Sequence, residues 1–269
     1  MATAGDLAIR ISVSSRHAVS PTVGIVQSTA SHGMACVLLF SRGYMAMRVL
    51  VVDIGGTNVK VLATGQKMPR KFPSGRKLTP RKMVEGVKQL AAEWKYDAVA
   101  IGYPGRIVGG RITTEPHNLA KGWVKFNFKA AFGCPVRIMN DAAMQALGSY
   151  KSGLLLFLGL GTGLGAALVA DSVVIPMELA HLPYKNGTWE DYLGVRSLQL
   201  RGRKKWQQHV EYGTARLIDA LSPDDIVLGG GNAKKLKKLP RGCRLGNNAY
   251  AFNGGFRLWE NAPSTTRSR

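Results

Sequence analysis

Three glycine-rich turns hold the residue types best suited to chemistry. The first is Asp53-Ile54-Gly55-Gly56-Thr57-Asn58, with Lys60 close behind. A carboxylate ends an apolar run, two glycines let backbone N–H groups approach an anion closely, and Thr57 adds a hydroxyl donor. The second, Gly159-Leu160-Gly161-Thr162-Gly163-Leu164-Gly165, repeats that logic between two apolar runs. The third is Gly229-Gly230-Gly231, after Asp225–Leu228. Taken singly, each is equally an ordinary hairpin or strand-to-helix turn. Two turns of the same glycine-threonine type in one chain point to phosphate held at two places.

The elements that must position these turns follow from apolar runs and punctuation. Val49–Ile54 is a buried strand and Asn58–Ala63 the strand that returns from it. Thr79 and Pro80 form a helix start, as N-cap and first helical residue, of a helix running to about Trp94. Ala98–Tyr103 is a strand closed by Pro104-Gly105, and Val136–Met139 is a short strand before Asn140-Asp141 and a helix through about Ser149. Leu154–Leu158 and Leu164–Val169 pair as a hairpin across the second glycine turn. A helix over Lys204–Leu221, a strand over Ile226–Leu228 and a closing helix over Ala249–Trp259 complete the pattern. The likeness of the two glycine hairpins predicts two similar lobes facing a cleft. Residues 47–150 are expected to form the N-terminal lobe and 151–262 the C-terminal lobe, with helix 249–259 free to pack back on the first and 263–269 a tail. Residues 1–46 have one acid, Asp6, and no clear periodicity. They are read as an extension outside the domain, with Met45 or Met47 as the natural start; a targeting peptide or a disordered tail are the other readings.

The order of motifs resembles the actin–hexokinase superfamily and, within it, the ROK family of bacterial sugar kinases, its polyphosphate glucokinases most nearly. The resemblance covers about Arg48 to Trp259. Asp53–Lys60 matches DxGGTxxK, Gly102-Tyr103-Pro104-Gly105 a glycine-x-proline-glycine segment, and Asn140-Asp141-Ala142 the catalytic NDA. Asn118-Leu119 with Gly122-Trp123 looks like the sugar-contacting NL…GW; Glu178-Leu179-Ala180-His181 resembles ExGH, with alanine for glycine. Trp189-Glu190-Asp191-Tyr192 and Ile226–Lys235 are similar to segments of the polyphosphate branch.

The resemblance implies an α/β, actin-like ATPase (ribonuclease H-like) fold with two lobes around a cleft. It implies phosphoryl transfer from polyphosphate, with ATP as a second donor, to the 6-hydroxyl of glucose or a related hexose. Asp141 is then the general base. Gly55, Gly56, Thr57, Lys60, Gly161, Thr162, Gly163 and Gly165 hold phosphate, while Gly229, Gly230, Gly231, Lys234 and Lys235 lie on the nucleoside or donor side. Asp53 holds Mg²⁺, directly or through water. Asn118, Asn140, Glu178, His181 and Glu190 contact the sugar, whose vicinal hydroxyls need both donors and acceptors. The plainer alternatives are a helix N-cap for Asp141, a surface pair for Glu178 and His181, and a helix anchored by Trp189 and Tyr192 around Glu190. Leu182–Thr188 lacks the cysteine-rich zinc motif of many ROK proteins, so no structural zinc is expected.

Composition narrows the setting. Hydrophobic residues make up 45% of 269, enough for a sizeable core. The longest early apolar run, Met34–Phe40, is too short to span a bilayer. The three cysteines, Cys36, Cys134 and Cys243, form no CxxC pair, which favours a reducing cytoplasm. Net charge is +21. Lys60–Lys88 holds nine basic residues, Arg201–Lys205 four and Lys234–Arg244 six. Such clusters attract a polyanion, and no nucleic-acid-binding module accompanies them, so inorganic polyphosphate is the expected partner. A homodimer is expected, without membrane or nucleic acid. The competing readings are a strictly ATP-dependent glucokinase or other ROK hexokinase and, from another class, a sugar-sensing ROK-type transcriptional regulator.

Overall fold

The computed structural model describes residues 47–247 and 249–260; the readings of residues 1–46 and of the tail lie outside the described residues. The first half builds β1 (Val49–Ile54), β2 (Asn58–Ala63), β3 (Arg70–Pro73), α1 (Pro80–Leu90), β4 (Ala98–Tyr103), a small hairpin of β5 (Ile107–Val108) and β6 (Arg111–Ile112), α2 (Phe128–Phe132) and β7 (Val136–Asn140). After α3 (Asp141–Ser149) come β8 (Leu155–Leu160), β9 (Leu164–Ala170), β10 (Val173–Met177), a second small hairpin of β11 (Pro183–Tyr184) and β12 (Gly187–Thr188), α4 (Trp189–Leu193), α5 (Val195–Leu221), β13 (Asp225–Gly229), β14 (Cys243–Leu245) and α6 (Tyr250–Glu260).

Two five-stranded sheets have the same plan. In order β3-β2-β1-β4-β7, the first three strands are antiparallel and the last two run parallel to β1. In order β10-β9-β8-β13-β14 the senses repeat one for one. The central strands are mostly apolar because both faces are covered, with Asp53 near the end of β1 the functional exception. Alternate residues of β1 divide: Leu50, Val52 and Ile54 join Met83, Val84 and Val87 of α1, whereas Val49 and Val51 meet Met144 of α3 with Ala251 and Phe252 of α6. On the second sheet Leu156, Leu158 and Leu160 meet Trp206 and Val210 of α5, and Leu155 and Phe157 meet Ala142, Ala143 and Ala146 of α3. Helix α3 therefore packs on both sheets, with its alanines towards one and Met144 towards the other.

Glycines let α6 close on α3 at main-chain distance. A Cβ on Gly148 would collide with the Tyr250 carbonyl, one on Gly254 with the Met144 carbonyl, and one on Gly255 with Val51. Arginines fasten the same seam. Arg257 donates to the carbonyls of Leu147 and Tyr150 at 2.8 and 2.7 Å, and Arg244 pairs with Asp225 while donating to the Ser149 carbonyl at 2.8 Å.

Two expected boundaries move. Helix α1 ends at Leu90, not near Trp94, because Arg70 donates to the Leu90 carbonyl at 2.6 Å and stacks its guanidinium on Trp94. Helix α5 begins at Val195, before the expected Lys204, and breaks at Gly202 with φ 75°; the Lys204–Leu221 stretch is its second segment.

Gly254→Ala tests the α3–α6 seam. Helix propensity favours alanine by about 1 kcal/mol. Forcing atoms into a packed interface costs roughly 1–3 kcal/mol, towards the upper end where the obstacle is main chain. The expected net loss is about 2 kcal/mol, measured by urea unfolding; unchanged stability would show that the helices separate freely.

Candidate active site

The site grows from strand ends. Asp53 lies opposite Lys60 in the β1–β2 register, and its Oδ2 is 3.4 Å from Lys60 Nζ. Asp53 is buried, and that burial raises its pKa, against which Lys60 acts to lower it. The turn between these strands is closed by Gly55 N–H donating to the Asn58 carbonyl at 3.0 Å. Ser74 fastens it from outside: its hydroxyl donates to the Gly55 carbonyl at 2.7 Å and its N–H to the Thr57 carbonyl at 3.0 Å.

The second glycine turn joins β8 to β9. Gly161 N–H donates to the Gly163 carbonyl at 3.1 Å, and Leu164 N–H to Glu190 Oε2 at 3.2 Å. Any side chain on Gly163 would strike that Glu190 carboxylate. The third turn hooks onto the second, because buried Asn232 donates from Nδ2 to the Gly161 carbonyl at 2.8 Å and from its backbone to Leu160 at 2.9 Å. Gly230 makes the bend possible with φ 79° in a place where a Cβ would meet the Leu160 backbone.

These turns converge. A Cβ on Gly56 would lie 3.4 Å from Thr162 Oγ1, so the first and second turns face each other. A Cβ on Gly165 would lie 2.7 Å from Ala142 Cβ, and one on Gly102 3.6 Å from Asp141 Cα. The start of α3 is thus pressed between an end of each sheet.

At that start, capping and chemistry belong to different residues. Asn140 is the N-cap: its Oδ1 accepts from Ala143 N–H at 3.1 Å, and its Nδ2 donates to the Gly105 carbonyl at 3.2 Å. Asp141 is the first helical residue, and its Oδ1 accepts from Ala142 N–H at 2.8 Å. Burial, and then the charge of Asp53, push the Asp141 carboxyl from an ordinary 3.8 up to about 7; backbone hydrogen bonding pulls the other way. A carboxyl poised there can take a proton near neutral pH.

Asn118 is exposed in a turn of the stretch held by Glu115, a residue sequence reading missed. Glu115 accepts from the N–H groups of Gly122, Trp123 and Val124 at 3.0, 3.1 and 3.2 Å. Burial raises the Glu115 pKa, but those three bonds together with the charge of Lys121 outweigh it and leave the carboxyl below its ordinary value. Trp123 is fully buried beside Tyr103 and Phe128. Glu178 and His181 flank a short 3₁₀ turn, 4.0 Å apart and 57% and 77% exposed. Among the described residues, Asn118, Glu178 and His181 make no side-chain hydrogen bond to the Asp53–Asp141–Glu190 set. Lys234 and Lys235 are exposed on a 3₁₀ turn immediately after Asn232. Trp189 and Tyr192 do anchor α4 in the core, while Glu190 reaches the second glycine turn from the same helix. The cysteine-free stretch before α4 is held by aromatic packing: Tyr184 contacts Trp189, Tyr192 and Tyr212, and its hydroxyl lies 3.1 Å from His209 Nδ1.

Twin sheets of this order around paired glycine turns define the actin-like ATPase class. Residues 49–176 match the sequence model of the ROK family, and the chain carries a ROK family domain. It is 26% identical over 209 residues to a polyphosphate glucokinase of Mycobacterium tuberculosis (strain CDC 1551 / Oshkosh), covering 70% of this chain and 78% of the relative. The fold is shared with an inorganic polyphosphate/ATP-glucomannokinase from Arthrobacter sp. strain KM, at TM-score 0.69 and 22% identity over 79% of this chain and 98% of that one. It is shared too with a ROK family transcriptional regulator, a homolog of the E. coli MLC protein, at TM-score 0.62 and 17% identity over 80% and 78%. No helix among the described residues is long and apolar enough to cross a membrane.

The raised Asp141 pKa sets a pH dependence. Between about 4 and 7 the folded protein holds a proton that the unfolded chain releases. The stability this contributes is complete below the unfolded value and is lost as pH rises through 7. Metal-free Asp141→Asn should therefore gain on the wild type between pH 5 and pH 8, measured as denaturation midpoints at both values. A difference that stays constant over that range would contradict the assignment.

Proposed function

We propose that the protein is a sugar kinase that moves the terminal phosphoryl group of polyphosphate, or of ATP, to the 6-hydroxyl of glucose or a related hexose. One observation carries this reading: a carboxyl poised near neutral pH stands where two phosphate-type turns face each other. Asp141 takes the hydroxyl proton, the sugar oxygen forms its bond to the terminal phosphorus, and the bond from that phosphorus to the bridging oxygen breaks. The donor leaves one phosphate shorter. Little covalent work falls to the protein in such a transfer, so positioning and charge stabilisation dominate.

Asp53 and Asp141 are two acids whose charges oppose each other, and among the described residues Lys60 alone forms an ion pair with the first, an arrangement that suits a hard divalent cation. Asp53 would hold Mg²⁺, directly or through water, and the ion would offset charge on the phosphates. Backbone N–H groups of Gly56, Thr57, Thr162 and Gly163 donate to phosphate oxygens, while those of Gly55 and Gly161 close the turns. Asn118, Glu178 and His181 meet the sugar from the open side of the cleft. Asn140 and Glu190 contribute mainly by bracing, since Asn140 spends both ends of its amide on the backbone and Glu190 accepts from Leu164. No structural zinc enters this reading, and a cytoplasmic homodimer is the state it expects.

The regulator reading shares the fold, so architecture does not choose between them. The retained Asp141, with its raised pKa, favours the enzyme. Asp141→Asn tests the choice: hexose binding should persist while turnover falls roughly 10²–10⁴-fold. Turnover within a few-fold of the wild type, from an equally folded variant, would remove Asp141 from the chemistry.

A further inference from the structure

Two basic clusters far apart in sequence meet on the surface. The main-chain N–H of Lys237 donates to Gln207 Oε1 of α5 at 3.0 Å. That bond brings the segment after Asn232 alongside the second part of α5, which starts beyond the Gly202 break. Between them lies a groove of about 520 Å³ lined by Arg203, Lys204, Gln207, Gln208, Glu211 and Lys237. Arg203, Lys204 and Lys237 are exposed and make no salt bridge among the described residues. Glu211, the one acid in the lining, accepts from Gln207 Nε2 at 2.9 Å. The groove therefore presents three cations against a single carboxylate, with Gln208 as a further amide in the lining.

Its distance from the glycine turns is bounded by covalent reach. Asn232 is bonded to the Gly161 carbonyl of the second turn, and Lys237 is five residues further along the same chain. Five residues span at most about 18 Å. The exposed Lys234 and Lys235 lie on that path. A long linear polyanion seated at the turns can extend over a distance of that order.

We propose that this groove is a second binding site for long-chain inorganic polyphosphate, separate from the turns that hold the reacting end. The proposal rests on the polyphosphate-donor reading above for its biological role, and on the groove's own residues for its binding. Held at two places, a long chain gains effective concentration at the reacting turns without any change there. Cations along the groove release counterions as they neutralise phosphates, so binding of the long chain weakens steeply with salt.

The test is binding of long-chain polyphosphate and of tripolyphosphate to the full chain without sugar, by calorimetry at several salt concentrations. Wild type should bind the long chain more tightly and with the steeper salt dependence. Arg203→Glu/Lys204→Glu/Lys237→Glu should lose most of that advantage, with long-chain affinity down roughly ten-fold or more and the salt slope reduced by about two. Tripolyphosphate binding should change little. Lys95→Glu/Lys129→Glu/Lys151→Glu, at exposed positions outside the three basic clusters, makes the same number of charge reversals and should retain the advantage. Glutamine at the three groove positions gives a milder variant should the glutamates disturb folding. Equal affinity of wild type for long and short chains would overturn the groove, as would an advantage kept by the groove variants or lost equally by the control variant. Turnover separates the two ideas: groove binding without transfer from polyphosphate would sink the donor reading and leave the site standing.

Discussion

Everything at the site depends on the packing of α3 between the two sheets. Its alanines lie against the second sheet, and Met144 lies against the first. This packing puts Asp141 beside the end of β4 and Ala142 beside β9. The arrangement requires small residues at several contacts. Gly102 and Gly165 clear the start of the helix, while Gly148 and Gly254 let α6 close over it. The electrostatic consequence is a carboxyl kept largely from water and near another acid, which raises its pKa towards neutrality.

The glycine turns themselves are held by side chains that come from elsewhere. Ser74 fastens the first, Glu190 the second, and Asn232 ties the third to the second. Turns built largely of glycine have few side chains of their own with which to hold shape. Their rigidity has to be supplied by neighbours, and preorganised donors are what make such a site effective.

Much of this frame was legible in the chain. Val49–Ile54 and Ala98–Tyr103 are fully buried strands because both faces of their sheet are covered, and runs that are apolar but for Asp53 announce that. Thr79 and Pro80 mark the start of α1 as expected. The edge strands were not legible: Arg70–Pro73, Val173–Met177 and Cys243–Leu245 are short and partly exposed, so no hydrophobic period distinguishes them from loops. The braces escaped for another reason. Ser74, Glu115 and Asn232 look like ordinary loop polar residues, and only three-dimensional proximity reveals what they hold. The Gly202 break also hid the first turns of α5. The two basic clusters were visible as charge, but their meeting through Gln207 and Lys237 was not.

The account stands most directly on phosphoryl transfer itself. Purified protein with Mg²⁺ and glucose, supplied separately with polyphosphate and with ATP, should form glucose 6-phosphate with at least one donor, polyphosphate being the expected one. Folded protein that forms no sugar phosphate from either donor, with glucose or a related hexose, would contradict it.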